Sequence, residues 1–225
     1  MSSESTVIIT PPPALSRRDL RSFTADSEKR ILIALARRLP AWIGPDHLTA
    51  LGAVAMAGAG LCYRLVSVSP LAFLGVNLFL FINWFGDSLD GTLARVREKQ
   101  RPRYGFYVDH LVDAFGAIFL FGGLASSGLV EPFSALALLI AYLLLQIHIA
   151  LKAHTTRMFQ IAFGGIGGTE ARILVSVANL GLMAWPALIP ALTPVVWLAA
   201  SGLVVLVVAD GIATGRALDR EERSY

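Results

Sequence analysis

Phe79-Leu80-Phe81-Ile82-Asn83-Trp84-Phe85-Gly86-Asp87-Ser88-Leu89-Asp90-Gly91-Thr92-Leu93-Ala94-Arg95 begins as an apolar run and ends on two carboxylates and an arginine. With the residues before it, this stretch fills a segment of the length needed to cross hydrocarbon, roughly 20 residues. The next apolar run carries Asp109 and Asp113. A charge at mid-membrane costs about 2.5 to 3.5 kcal/mol even on lenient insertion scales. Four neighbouring carboxylates would also repel one another. A divalent cation, or a pair of them, offsets both penalties, so the placement predicts a metal-assisted membrane enzyme.

Working outward, the chain has 225 residues, 55% of them hydrophobic, and a mean hydropathy of +0.64. That composition predicts an all-α integral membrane protein, a single bundle of six spans at 47–66, 70–94, 106–128, 133–154, 171–189 and 194–215. Of the 19 Lys and Arg, seven precede residue 40, five fall between Arg95 and Arg103, and three follow residue 215. This comb fits short cytoplasmic loops, with both termini and the aspartate-bearing helix ends on the cytoplasmic side. The basic clusters are separated by apolar segments rather than joined in one patch, which argues against nucleic-acid binding. They suit anionic headgroups instead. Cys62 is the single cysteine, so a cysteine-built metal site is excluded.

Residues 1–23 read as a disordered cytoplasmic tail without the early apolar run of a signal peptide, so the first span would direct insertion. Residues 24–40 read as an amphipathic juxtamembrane helix capped by Thr24. Asp26 and Glu28 lie in its early turns, Ile31, Leu32, Leu35 and Leu39 form its apolar side, and Arg30, Arg37 and Arg38 its basic side. An ordinary soluble linker helix is the alternative. Residues 41–216 form the six-span catalytic domain and 217–225 a second cytoplasmic tail. Ser69-Pro70 breaks one loop, Pro190 and Pro194 bracket another, and Gly164, Gly165, Gly167 and Gly168 form a turned approach to the fifth span.

Helical geometry places Asp87, Asp90, Gly91 and Ala94 on one face, with the two small residues leaving space beside the carboxylates. Arg95 follows within reach of a phosphate. On the next helix Gly105, Asp109 and Asp113 advance by i+4 along one face. Asp-rich oxygen ligation suits Mg²⁺ or Mn²⁺, and such ions can bridge a diphosphate and stabilise a departing phosphate. The aspartate least committed to metal would deprotonate an alcohol. On these residues alone, a proton or cation relay in a transporter, or a structural ion-pair network, stays open.

The full pattern Asp87-x2-Asp90-Gly91-x2-Ala94-Arg95-x9-Gly105-x3-Asp109-x3-Asp113 resembles the signature of the CDP-alcohol phosphotransferase family at all eight defining positions, over 27 residues. The resemblance implies transfer through a CDP-activated substrate with release of CMP, helped by Mg²⁺ or Mn²⁺, two ions being expected. It implies that Asp87, Asp90 and Asp109 are metal ligands and that Asp113 is the general base and a further ligand. Gly91, Ala94 and Gly105 would permit close nucleotide packing, and Arg95 would hold phosphate. The donor expected is CDP-diacylglycerol, with a hydroxyl-bearing acceptor, phosphorylated or not, in a bacterial or archaeal cell membrane. Transfer of phosphocholine or phosphoethanolamine to diacylglycerol is the chemical alternative. A homodimer is also implied.

Pro45-Asp46-His47-Leu48-Thr49 resembles the family's Pro-Asn-x-x-Thr opening of the first span. Asp46 stands where Asn is usual; it is expected to cap the helix start similarly but lacks the amide donor for a nucleotide. Thr49 would assist the same site. Lys152, Arg157 and Arg172, with His154, Thr169 and Glu170 nearby, are candidates for an acceptor entrance or, alternatively, topology markers and caps. His110 and His148 read as packing residues, and Asp210 as a partner for a nearby base. Trp42, Trp84, Trp185 and Trp197 read as interfacial anchors or core residues.

Overall fold

The computed structural model describes residues 17–19, 25–156, 158–160 and 167–224. Seven α-helices carry nearly all of it: α1 (Ala25–Arg38), α2 (Pro45–Leu65), α3 (Ala72–Val96), α4 (Pro102–Ala125), α5 (Pro132–Thr156), α6 (Gly168–Ala184) and α7 (Ile189–Glu222). Two three-residue strands, β1 (Arg17–Asp19) and β2 (Met158–Gln160), pair in parallel. Thr24 and the Gly164–Gly165 turn lie outside the described residues.

Among the described residues, five helices are long and apolar enough to cross a membrane: α2, α3, α4, α5, and α7 with the 3-10 turn that precedes it. The expected fifth span corresponds to α6, which has only 17 residues. Trp185-Pro186 ends it early: Pro186 supplies no backbone donor and opens the 3-10 turn Pro186–Leu188. Pro190 and Pro194 do not bracket a loop. Pro190 sits in the first turn of α7, where a missing N–H is harmless, and Pro194 lies within that helix. α7 continues to Glu222, well past the expected end of the last span.

The exposed surface explains why these helices are apolar all round. Val54, Leu198 and Val205 remain more than half exposed, as expected of side chains facing lipid rather than a protein core. Packing runs from α1 to α3, from α2 to α3 and α4, from α4 to α5, from α5 to α7, and from α6 to α3. One buried cluster gathers Ala59, Tyr63, Phe73, Val76 and Leu80 with Leu129 and Leu182. The other, beneath α1, joins Leu32 and Ala36 to Leu48, Leu89 and Leu93.

α1 therefore has a buried stripe at Leu32, Leu35, Ala36 and Leu39. Ile31, expected on that stripe, is 54% exposed, and Ala36 occupies the buried face instead. Beyond the end of α1, Arg97, which follows α3, donates to the carbonyls of Leu39 and Pro40 at 3.0 and 2.9 Å, and also to that of Ile43. A residue read as one tooth of the basic comb thus ties down the turn between α1 and α2.

Small residues set the close approach of α2 to its neighbours. A Cβ at Gly123 would collide with the backbone of Gly60, and one at Gly60 with the Phe119 carbonyl. Gly122, the next residue, faces open space. We expect Gly123→Ala to lower stability by about 1–3 kcal/mol through overpacking, read as a lower melting temperature in detergent. Gly122→Ala should leave it unchanged or slightly raised. Equal responses from the two variants would refute the backbone contact.

Candidate active site

Asp87 and Asp90 come from α3, Asp109 and Asp113 from α4, and all four line one cleft with Thr49, Gly52, Asn83 and Val112. The cavity is about 10 Å³, the room of a single water-sized sphere. The i+3 and i+4 spacings therefore do bring both carboxylate pairs to one place. Asp90 is the most enclosed, being buried.

Three of the carboxylates, Asp87, Asp90 and Asp113, are engaged by three different helices. Arg172 of α6 donates from Nη2 to Asp87 Oδ2 at 2.7 Å and from Nε to Asn83 Oδ1 at 2.8 Å. Asn83 in turn donates to the Gly52 carbonyl at 3.2 Å. Thr49 Oγ1 of α2 donates to Asp90 Oδ2 at 2.6 Å, and the Gly91 N–H donates to Asp90 Oδ1. Gln146 Nε2 of α5 reaches Asp113 Oδ2 at 3.4 Å while donating to the Tyr142 hydroxyl at 3.0 Å.

Among the described residues, no three His, Cys, Asp or Glu side chains converge closely enough to hold a metal ion as they stand. The donor set nevertheless fits a hard divalent cation in kind: four carboxylates and a hydroxyl on one small cleft, with no soft ligand among them. Arg172 supplies a positive charge at the same place.

The remaining expected site residues divide. Thr49 reaches the cleft, but Asp46 does not cap α2. The Gly44 N–H donates to His47 Nδ1 at 2.9 Å, Gly44 holds the cap position, and Asp46 pairs with Arg101 instead. Asp46 lies one residue inside the helix, too far along to occupy the cap. Arg95 donates to Thr92 Oγ1 at 2.9 Å. Gly105 has open space where a side chain would be, and Gly91 and Ala94 are half-buried on α3.

Lys152 and Arg172, grouped by sequence, have different partners. Lys152 donates to both oxygens of Asp210 at 2.7 and 3.0 Å, and His148 Nε2 lies 2.7 Å from the same carboxylate. This α5–α7 cluster holds Lys152 away from the Asp87 pair. Arg157 lies outside the described residues. His154 is exposed, Thr169 bonds to Glu28, and Glu170 accepts the Gly167 N–H at 2.9 Å at the start of α6. His110 Nδ1 lies 2.8 Å from the Phe106 carbonyl, a packing position. Trp42 and Trp185 are exposed, whereas the Trp84 indole donates to Glu28 at 2.7 Å.

Sequence reasoning did not single out Asn83 or Gln146, and it read Glu28 only as an acid in the early turns of α1. Asn83 had a legible signal: it precedes Asp87 by one helical turn inside an otherwise apolar run. Gln146 likewise interrupts the apolar run of α5. Comparison with known protein families finds no matching family model, and comparison with characterised proteins finds no significant match.

The Asp87 side chain is 37% exposed and that of Arg172 22%, so solvent screens their attraction in part. In a double-substitution cycle without divalent cation, Arg172→Ala and Asp87→Ala should show a coupling of roughly 0.5–1 kcal/mol. Thermal unfolding of the four proteins measures it. Strict additivity would remove the ion pair from the account.

Proposed function

We propose that the protein is a membrane-bound phosphotransferase of the CDP-alcohol type, moving a phosphatidyl group from CDP-diacylglycerol to an alcohol with release of CMP. The observation that carries this reading is the convergence of Asp87, Asp90, Asp109 and Asp113 on one cleft beside Thr49. The reading also draws on the resemblance of 87–113 to that family's signature. In this proposal α6 completes a six-crossing bundle, α1 lies along the membrane surface, and the cleft opens to the cytoplasmic side. The enzyme works as a homodimer.

Asp87, Asp90, Asp109 and Asp113 would hold Mg²⁺ or Mn²⁺, which supplies charge stabilisation for the diphosphate and its leaving group. Thr49 fixes the rotamer of Asp90 through its hydroxyl. Asp113 accepts the proton of the acceptor hydroxyl as that oxygen attacks the phosphorus carrying diacylglycerol. The bond from phosphorus to the CMP oxygen breaks, and CMP leaves with the electron pair. Arg95 and Arg172 hold negative phosphate oxygens. Open space at Gly105 leaves room for a flat nucleotide base beside the cleft.

Purified protein in detergent with Mg²⁺ or Mn²⁺ should release CMP from CDP-diacylglycerol when a suitable alcohol is present, and EDTA should stop it. Asp90→Ala should lower turnover by at least roughly 10–100-fold. Asp113→Asn should keep the fold yet lower transfer on the order of 10²–10⁴-fold. Crossing CDP-diacylglycerol, CDP-choline and CDP-ethanolamine with glycerol phosphate, inositol phosphate, inositol, serine and diacylglycerol, and weighing the products, identifies the substrates. Gradient-dependent flux in sealed vesicles without CMP would overturn the assignment.

A further inference from the structure

Glu28 accepts hydrogen bonds from two other helices at once. Its Oε1 accepts from Trp84 Nε1 at 2.7 Å and from Ser88 Oγ at 3.1 Å, both on α3. Thr169 Oγ1, on α6, lies 3.1 Å from both carboxylate oxygens. One acidic side chain on α1 thus ties α3 to α6. The same two helices meet again at the Asp87–Arg172 pair.

The two ties are close in sequence on both sides. Ser88 follows Asp87 directly, and Thr169 precedes Arg172 by three residues, less than one helical turn. An indole N–H is a donor only, and bonds to a carboxylate are the stronger kind. A neutral amide at position 28 can meet the same three partners, its oxygen accepting from Trp84 and Ser88 and its NH₂ donating to the Thr169 hydroxyl, but only through weaker, uncharged bonds.

Glu28 does not line the carboxylate cleft, so it is not a catalytic residue. We propose that it is a positioning residue. By clamping α1 onto α3 and α6 at once, it sets how firmly Arg172 holds Asp87, and thereby how much of Asp87 is left for an incoming divalent cation. This rests on the metal-binding reading of the cleft. A guanidinium on Asp87 both occupies its oxygen and repels a second cation. Loosening the start of α6 weakens both effects.

The test is Mn²⁺ binding to the full-length protein in detergent, without substrate, followed by electron paramagnetic resonance. Arg172→Ala should tighten Mn²⁺ binding at least threefold. Glu28→Gln should shift it the same way by a smaller factor, and add nothing in the Arg172→Ala background, because it acts through that arginine. Thr169→Val, which removes the α6 half of the clamp outright, should shift Mn²⁺ binding in the same direction at least as far as Glu28→Gln, while Ser88→Ala should not. It also serves should Glu28→Gln fail to fold. Unchanged Mn²⁺ affinity in both Glu28→Gln and Thr169→Val, weaker binding, or an effect that persists undiminished without Arg172 would each overturn the proposal. If the wild-type protein binds no Mn²⁺, the metal reading itself fails. Hydrogen exchange then decides the clamp: faster exchange at residues 168–172 in Glu28→Gln, with α5 unchanged, supports it, and unchanged exchange there refutes it.

Discussion

Carboxylates placed among lipid-facing helices must find partners, and that requirement organises the carboxylate end of this molecule. Asp87 takes a guanidinium from α6, Asp90 a hydroxyl from α2, and Asp113 an amide from α5. Three helices are thereby called to the α3–α4 pair that carries the acids. Apolar packing alone would leave the rotation of these helices loosely fixed, because lipid tails compete equally well for an apolar face. Polar contacts have no such competitor inside the hydrocarbon. The same logic runs further along α3, where Asn77 accepts from Asn179 at 2.8 Å and donates to the Ser176 carbonyl at 3.1 Å. Tyr63 of α2 closes that network by donating to Asn179 at 3.0 Å.

These bonds need short distances between helix axes, and small residues provide them. A Cβ at Gly86 would press on the backbone of Leu48 and Gly52. The contact brings the first turns of α2 against the last turns of α3, and so puts Thr49 beside Asp90. Gly52 then lines the cleft with its carbonyl bound to Asn83. Glycine here works through packing: it removes the side chain that would hold two polar groups apart.

Much of the helix pattern was legible because long apolar runs and the i+3 and i+4 spacing of the aspartates depend only on residues close in sequence. α2 through α5 and the shared face of Asp87 and Asp90 belong to that class. The partners of those residues do not. Lys152 and Arg172 looked alike as basic residues at span ends, yet one binds Asp210 and the other Asp87, because helix crossing decides which acid each can reach. Arg97 was read only as part of the basic comb, and it also binds carbonyls of the turn after α1. The short α6 had a local cause, Pro186 after Trp185, which the apolar run from 171 to 189 masked. Asp46 matched a motif position, but the turn at Gly44 starts the helix earlier and leaves the carboxylate to Arg101.

The unequal strength of the partners bears on how the acids divide their roles. One oxygen of Asp87, Oδ2, is held by a full positive charge at 2.7 Å. Asp90 is fixed from both sides by Thr49 and its neighbouring Gly91 N–H, which orients the carboxylate without neutralising it. Asp113 has the weakest recorded partner, an uncharged amide at 3.4 Å, a distance at which a hydrogen bond contributes little. A group that must accept a proton from an alcohol is best left without a strong donor occupying its lone pairs. The proposed chemistry assigns that task to Asp113. Asp87 and Asp90, held by a guanidinium and a hydroxyl, are less free for it.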